Sequence, residues 1–123
     1  MTLLAGNVTM MTQEPMQIDE IRKLIRAGRY EVSLHAQQER LEDDLDIGEI
    51  EAAILSGEII EDYPNDPRGP GCLISGQAGS KAVHVVLGWA RSRGQEERTL
   101  RMITVYIPKT PKWSDPRTRG EKP

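Results

Sequence analysis

The 123-residue chain has only two histidines, and one of them, His84, interrupts the apolar run AVHVVL. A polar ring inside such a run needs a hydrogen-bond partner or a chemical role. Tyr106 lies in a second apolar run, ITVYIP, and His35 and Arg40 lie in a predicted helix. Metal-free cleavage of RNA needs a base for the 2′-hydroxyl proton, an acid for the leaving oxygen and a cation for the phosphate. These four side chains could fill those roles, so they form our candidate catalytic group.

Each of these residues also has a structural interpretation. His84 could be a hydrogen-bonded histidine of the core. His35 lies in the first turn of its helix, where the helix dipole disfavours a charged imidazole, and it could equally be a partly buried packing residue. Arg40 is five residues further on, about 140° round the helix, so the two cannot point at one substrate from the same face. Arg40 could instead pair with Asp43 or Asp44.

Basic residues and an aromatic residue surround the ends of the two apolar runs. The candidate RNA-binding residues are Arg91, Arg93, Arg101, Lys109, Lys112 and Trp113. Cations interleaved with an aromatic ring suit a single-stranded nucleic acid, which is bound through phosphate contacts and base stacking. Residues 1–66 contain 5 Lys+Arg and 15 Asp+Glu, whereas residues 67–123 contain 11 and 4. The second half could therefore bind RNA or an acidic protein, although acidic, solvated helices would produce the same asymmetry.

The sequence lacks the residues that several other kinds of site require. Two histidines, with no cysteine or carboxylate at ligand spacing, do not predict a metal site, and we expect no cofactor. The chain has no glycine-rich phosphate loop before a helix and no Gly-x-Ser-x-Gly motif. Cys72 is the only cysteine, so no internal disulfide can form, and no window approaches the roughly 20 apolar residues of a membrane span. We therefore expect a cytoplasmic protein with no membrane partner.

Three short helices are predicted in the first half of the chain. The first begins near Asp19 and ends at Gly28. Ser33 can cap the second, and Asp46 with Glu49 has the spacing of a capping box for the third. The second helix should face the core with Leu34, Gln38, Leu41 and Leu45. The third should do so with Ile50, Ala53 and Ile54, and end at Gly57.

Four antiparallel strands are predicted after these helices. Two cover residues 58–63 and 72–76, and two long strands occupy the runs AVHVVLGWA and TLRMITVYIP. Side chains alternate along a strand, and the more apolar faces carry Val83, Val85, Ile103 and Val105. His84 and Tyr106 should then lie together on the face away from the helices. The predicted fold is α+β, with N-terminal helices packed on one face of a four-stranded antiparallel sheet.

Residues 16–115 should form a single domain. The N-terminal extension, residues 1–15, lacks enough apolar periodicity to offset the entropy lost on ordering, and we expect it to be disordered. From Pro108 the chain is rich in proline and basic residues. We therefore predict an extended segment that ends in a basic disordered tail at residues 116–123.

The chain resembles a family of small bacterial proteins, domain of unknown function (DUF) 4258. The resemblance rests on SLHAQQER (33–40), SGEIIEDYPND (56–66), GCLISG (71–76), AVHVVL (82–87), ITVYIP (103–108) and Trp113. It covers about residues 30–115, although Ala82 and Val83 stand where the family often has proline, and RSRGQEER lengthens the hairpin. The motif positions that it implies are His35, Arg40, His84, Tyr106 and Trp113.

The resemblance implies a fold similar to the RelE and barnase-like ribonucleases and a toxin role beside a zinc-finger antitoxin of the MqsA type. Our first hypothesis is therefore a cytoplasmic toxin of a type II toxin-antitoxin pair, acting as a metal-independent endoribonuclease on mRNA, free or ribosome-bound. The second is a non-catalytic binding module, whose basic sheet face docks an acidic protein or RNA while its histidines are structural. The exposure and mutual distance of His35, His84 and Tyr106 distinguish the two.

Overall fold

The fold is a mixed five-stranded sheet with helices packed on one face. The computed structural model describes residues 14–91, 98–109 and 112–120. The elements in chain order are α1 (Ile18–Arg26), β1 (Tyr30–Val32), α2 (Leu34–Glu42), α3 (Ile47–Ser56), β2 (Glu58–Tyr63), β3 (Gly71–Ala78), β4 (Lys81–Trp89), β5 (Leu100–Tyr106), β6 (Trp113–Asp115) and β7 (Thr118–Arg119). The strand order is β1-β5-β4-β3-β2, and β6 and β7 form a separate two-stranded sheet.

The predicted α+β class is confirmed, but the prediction of a four-stranded antiparallel sheet is wrong. β1 adds a fifth strand, parallel to β5, with Tyr30 opposite Leu100 and Val32 opposite Met102. A strand of three residues between two helices is too short to show an alternation of apolar and polar side chains. Its position at the sheet edge therefore had no signal in the sequence.

The predicted capping signals fix the helix ends. Ser33 Oγ accepts a hydrogen bond from the Ala36 amide at 3.0 Å, at the start of α2. Asp46 and Glu49 form the predicted capping box at the start of α3, each side chain binding the other's backbone amide. Gly28, after α1, has a φ of 71°, which glycine adopts without steric cost. These ends keep the helices short and turn the chain back towards the sheet.

Gly76 allows the backbone of α3 to rest directly on β3. A Cβ at this position would lie 1.8 Å from the carbonyl oxygen of Ala53 and 2.6 Å from its carbonyl carbon. Ala53 is itself fully buried. The core between helices and sheet forms around this contact, and its buried side chains include Ile21, Ile25, Ile50, Ile54, Ile74, Val83, Val85, Leu87 and Val105.

A β-bulge changes which residues of β5 face this core. The pairing of β4 with β5 passes from Val86–Thr104 to Leu87–Met102 and so skips Ile103. Met102 is fully buried, whereas Ile103 is partly exposed and lines a groove on the opposite face. The prediction that Ile103 points inward is therefore wrong, because the extra residue reverses the alternation. The inward positions of Val83, Val85 and Val105 are confirmed.

Two carboxylates near the end of α2 bind backbone amides along the part of the β5 edge that does not pair with β1. Glu39 Oε1 accepts a hydrogen bond from the Val105 amide at 3.0 Å, and Asp43 Oδ2 accepts one from the Ile107 amide at 2.9 Å. A backbone amide that loses water without gaining a partner is costly. The helix therefore turns polar side chains towards the sheet, where an ordinary surface helix would present apolar ones.

The predicted core stripe of α2 is wrong for three of its four residues. Leu34 is 74% exposed, Leu41 is 63% exposed and Gln38 is exposed as well, whereas Leu45 and the unpredicted Ala36 are buried. The two carboxylates that bind the β5 backbone fix the rotation of the helix about its axis. This rotation leaves the leucine side of α2 in solvent.

We expect Leu41→Ala to change the free energy of unfolding by less than about 0.5 kcal/mol, because an exposed side chain makes few contacts. The matched control, Leu45→Ala, removes a buried side chain of the same size and should cost about 2–5 kcal/mol. Urea unfolding followed by circular dichroism measures both. A cost for Leu41→Ala equal to that of the control would contradict the orientation of α2.

The β6–β7 hairpin, residues 112–120, lies on the face of the sheet opposite the helices. Pro116 and Arg117 form its turn, and Trp113 is buried against the sheet. Residues 116–120 thus differ from the disordered tail that we predicted, because the proline- and arginine-rich sequence concealed one buried aromatic anchor. Residues 1–13 and 121–123, on which the rest of our prediction of disordered ends falls, lie outside the described residues.

Candidate functional site

His84 lies on the outer face of the sheet and is fully buried beneath the β6–β7 hairpin. Strand pairing places it opposite Ser75 and Tyr106. Its Nδ1 is 3.1 Å from the Tyr106 hydroxyl, and its Nε2 is hydrogen-bonded to the Pro116 carbonyl. A carbonyl only accepts, so Nε2 carries the proton and Nδ1 accepts from Tyr106. The prediction that His84 and Tyr106 share the face away from the helices is confirmed.

The hairpin encloses the imidazole from above. The Pro116 carbonyl accepts a second hydrogen bond, from Ser75 Oγ at 3.2 Å. The Trp113 ring stands edge-on to the His84 ring, with 4.4 Å between centroids and an interplanar angle of 89°. Trp113 is 2% exposed. Both imidazole nitrogens are therefore occupied by groups of the chain, and no substrate can reach them in this arrangement.

Two ion pairs join the hairpin to β2. Arg119 binds Glu61 through two hydrogen bonds of 2.8 Å, and its guanidinium lies 4.3 Å from the centroid of the Trp113 ring. Arg117 binds Glu58 at 2.6 Å. Hydrogen bonds from these arginines hold the pKa values of both glutamates below their ordinary range. The ion pairs fix the hairpin in place while Trp113 supplies its apolar contact.

Burial keeps the enclosed rings neutral. It lowers the pKa of His84 below the ordinary value of 6.5, and the bond to the Pro116 carbonyl opposes this shift only in part. The nearby Arg119 charge lowers the pKa of His84 further. Burial also raises the pKa of Tyr106. At pH 7 the pair is therefore an uncharged imidazole with both nitrogens hydrogen-bonded and an uncharged phenol that donates to it.

The other half of the outer face is open. A groove of about 1340 Å³ lies over strands β3, β4 and β5, between residues 66–70 and the start of α2. Val86, Ile103 and Thr104 line its surface. Its charged and aromatic lining residues are Glu31, His35, Tyr63, Asp66, Arg68, Trp89, Arg91 and Arg101. Unlike the imidazole of His84, this surface can be reached by a ligand.

Three arginines and two carboxylates line the groove. Arg68 pairs with Asp66, with hydrogen bonds of 3.0 and 3.1 Å, and Arg101 pairs with Glu31. Arg91 is exposed. Exposed ion pairs contribute little stability, typically about 0–1 kcal/mol, so a phosphate can replace a carboxylate partner at small cost. The groove therefore offers cations and the Tyr63 ring on one accessible surface, whereas the Trp89 side chain packs against the core on the other face.

The structure separates the predicted catalytic group into three places. His84 and Tyr106 lie beneath the hairpin, whereas the His35 side chain is 65% exposed at the groove, with Nε2 3.2 Å from Glu39 Oε2. Arg40 lies away from both, donating to Gln37 Oε1 at 2.8 Å and to the Leu45 carbonyl at 3.1 Å. These hydrogen bonds stabilise the end of α2. They differ from the alternative that we predicted, a pairing of Arg40 with Asp43 or Asp44. These four residues do not converge on one substrate position.

The predicted RNA-binding residues are also divided. Arg91 and Arg101 line the groove. Trp113 is buried in the hairpin, and Lys112 Nζ lies 5.5 Å from the centroid of the Tyr106 ring. Lys109 is exposed, with Nζ 4.0 Å from Asp43 Oδ1. Arg93 lies outside the described residues.

Sequence reasoning missed the groups that enclose His84 and the groove residues supplied by β2 and the following loop. These are Ser75, Pro116, Glu61, Tyr63 and Arg68. One signal was present, since β2 carries acidic residues and the hairpin basic ones. Glu58 and Glu61 of β2 meet Arg117 and Arg119 of the hairpin.

The described part of the chain has neither a metal-binding cluster nor a membrane-spanning helix. Within residues 14–91, 98–109 and 112–120, no group of three His, Cys, Asp or Glu side chains is placed to hold a metal ion. In the same ranges, no helix is long and apolar enough to cross a membrane.

The protein is thus of the α+β class, and the outer face of its sheet carries an open groove and an enclosed histidine. Residues 32–107 match the family model described as Domain of unknown function (DUF4258). The chain belongs to this family, as its resemblance predicts. No curated protein and no solved structure matches the chain. The matched residues include His84 and most of the groove and end before the β6–β7 hairpin.

Proposed function

We propose that this protein binds single-stranded RNA in the groove on the outer sheet face. The observation that carries the proposal is the presence of three arginines, Arg68, Arg91 and Arg101, with the Tyr63 ring on one accessible surface. Phosphates bind guanidinium groups, and unpaired bases stack on aromatic rings. A cytoplasmic location, expected from the single cysteine, would give the groove access to mRNA.

Binding is better supported than cleavage at His84. A general base must lie within hydrogen-bond reach of the proton that it removes. The His84 ring is enclosed, and both of its nitrogens already have partners. The second of our two hypotheses, a non-catalytic binding module with a structural histidine, therefore agrees best with the geometry. RNA is preferred over an acidic protein because the groove combines cations with an aromatic ring, Tyr63.

A second candidate, metal-independent RNA cleavage, is favoured by one observation. His35 is exposed at the same groove as the three arginines, so one proton-transfer group and several cations share an accessible surface. The toxin role and the zinc-finger antitoxin of the MqsA type belong with this candidate, and they rest on the resemblance. Product release from RNA in the presence of EDTA, absent in His35→Ala, would favour it over binding alone.

We expect Arg91→Gln combined with Arg101→Gln to weaken binding of a fluorescein-labelled single-stranded RNA by roughly tenfold. The slope of log affinity against log salt should fall by about 0.7 for each phosphate that the variant no longer binds. The matched control is Lys23→Gln combined with Arg26→Gln, which removes two exposed cations from α1 on the opposite side of the sheet. Fluorescence anisotropy at several salt concentrations measures both. Equal weakening by the control would indicate general charge attraction, and an absence of binding by the wild type would refute the proposal.

A further inference from the structure

We infer that His84 and Ser75 form a second phosphate-oxygen site, which the Pro116 carbonyl occupies from within the chain and which RNA can enter when the hairpin is displaced. This inference rests on the proposed function, because it extends the same RNA path. The Pro116 oxygen accepts hydrogen bonds from His84 Nε2 and from Ser75 Oγ. Two convergent donors on a rigid sheet form the kind of cradle that holds a phosphoryl or carbonyl oxygen.

The hidden donors lie on the same surface as the groove. His84 and Val86 are two residues apart on β4, so their side chains point to the same face, about 7 Å apart along the strand. Val86 lines the groove. Successive phosphates of an extended strand are separated by a similar distance. An RNA strand that lies in the groove and continues along β4 therefore reaches the position of the Pro116 oxygen.

Charged groups beside the hidden donors suit a phosphate. Arg119 and Lys112 lie close enough to His84 for their charges to act on it, and Lys112 Nζ is 5.5 Å from the centroid of the Tyr106 ring. Arg119 is held by Glu61, which also accepts a hydrogen bond from the groove residue Tyr63. A phosphate that replaces Glu61 on Arg119 would loosen the hairpin from β2. Binding in the groove and release of the hairpin are then linked through one carboxylate.

The hairpin is attached in a way that permits displacement. β6 and β7 pair with each other in a two-stranded sheet that is separate from the five-stranded one. Its described links to the main sheet run through side chains, namely those of Ser75, His84, Glu58, Glu61 and the hairpin arginines. Moving the hairpin away therefore breaks no strand pairing of the main sheet. It also lies outside residues 32–107, which match the family model.

Trp113→Ala tests the inference without changing charge. It removes the ring that packs on His84, and we expect trypsin to cut after Arg117 and Arg119 much faster than in the wild type. In the wild type the hairpin covers His84 and Ser75 and so lowers the apparent affinity for RNA. Exposing the site in Trp113→Ala should therefore tighten binding of the same labelled RNA by roughly tenfold. Adding Ser75→Ala to Trp113→Ala should reverse part of this gain. Leu41→Ala, an exposed apolar truncation on α2, is the control and should alter neither measurement.

Two outcomes of this experiment would overturn the inference while leaving the groove proposal intact. The first is a hairpin that trypsin cuts rapidly in Trp113→Ala with no gain in RNA affinity. The second is a wild type that binds RNA through Arg91 and Arg101 while its hairpin keeps the same rate of hydrogen exchange. The second measurement needs no variant, so it also decides the case if Trp113→Ala fails to fold. Absence of RNA binding by both proteins would refute the two proposals together.

Discussion

Replacing Gly76 with alanine is expected to destabilise the protein severely. The new Cβ would lie 1.8 Å from the Ala53 carbonyl oxygen, a separation that no side-chain rotation can relieve because both atoms belong to backbone or to Cβ. The helix α3 must move off β3, which opens the core around Ile50, Ile54 and Ile74. Overpacking typically costs about 1–3 kcal/mol and occasionally more, and we expect at least the upper end of that range.

Gly48→Ala provides the matched control for this prediction. Gly48 lies in α3 as well, but a Cβ there would lie 3.4 Å from Asp46 Oδ1, an ordinary contact. Alanine in place of glycine in a helix adds about 0.5–1 kcal/mol of stability. Thermal unfolding of the two variants should therefore give midpoints on opposite sides of the wild type. A Gly76→Ala protein as stable as the wild type would show that α3 and β3 are further apart than described.

His84→Ala is expected to reduce the free energy of unfolding by about 2–4 kcal/mol, through a buried cavity and a hydroxyl left without its acceptor. That hydroxyl belongs to Tyr106, whereas the Pro116 carbonyl keeps its hydrogen bond from Ser75 Oγ. The sequence alone suggested a catalytic histidine, whose removal would leave the thermal midpoint nearly unchanged. The matched control is His35→Ala, which removes the other, mostly exposed histidine. Equal small effects of both substitutions on the midpoint would contradict the structural role of His84.

The same histidine should make stability depend on pH. Because the pKa of His84 is lowered in the folded protein, the unfolded chain binds a proton more readily. Its contribution is therefore complete above the ordinary histidine pKa of 6.5 and is lost as pH falls through that value. The lowered pKa values of Glu58 and Glu61 act in a different range, below the ordinary glutamate value of 4.5. Urea unfolding between pH 7.5 and pH 5 should show a loss that is absent from His84→Phe.

Local signals in the sequence predicted much of the fold. Ser33, Asp46 and Glu49 mark helix ends through contacts three residues away, which a linear sequence displays directly. The alternation in β4 and at the end of β5 placed His84 and Tyr106 on the outer face correctly. The bulge at Ile103 was not predictable. A single unpaired residue changes which side chains of β5 face inward, but it leaves no mark on the apolar pattern of the sequence.

The candidate site was predicted less well, because its arrangement depends on pairs far apart in the chain. His84 is 32 residues from Pro116, and Glu61 is 58 residues from Arg119. The spacing of Leu34 and Leu41 predicted a buried stripe, yet hydrogen bonds from β5 to Glu39 and Asp43 determine the rotation of that helix. Long-range polar contacts of this kind leave no periodic trace in the sequence.

The attachment of β1 and α2 to β5 has a consequence for the order in which the chain can fold during synthesis. Tyr30 pairs with Leu100, and the carboxylates of Glu39 and Asp43 bind amides that lie 66 and 64 residues further on. By contrast, β3 and β4 are joined by a turn at Gly79 and Ser80, so they can pair soon after both have left the ribosome. Closing a longer loop costs more chain entropy and slows folding. β1 and α2 are therefore synthesised early but can dock only after β5 has been made, and they are among the last elements to dock.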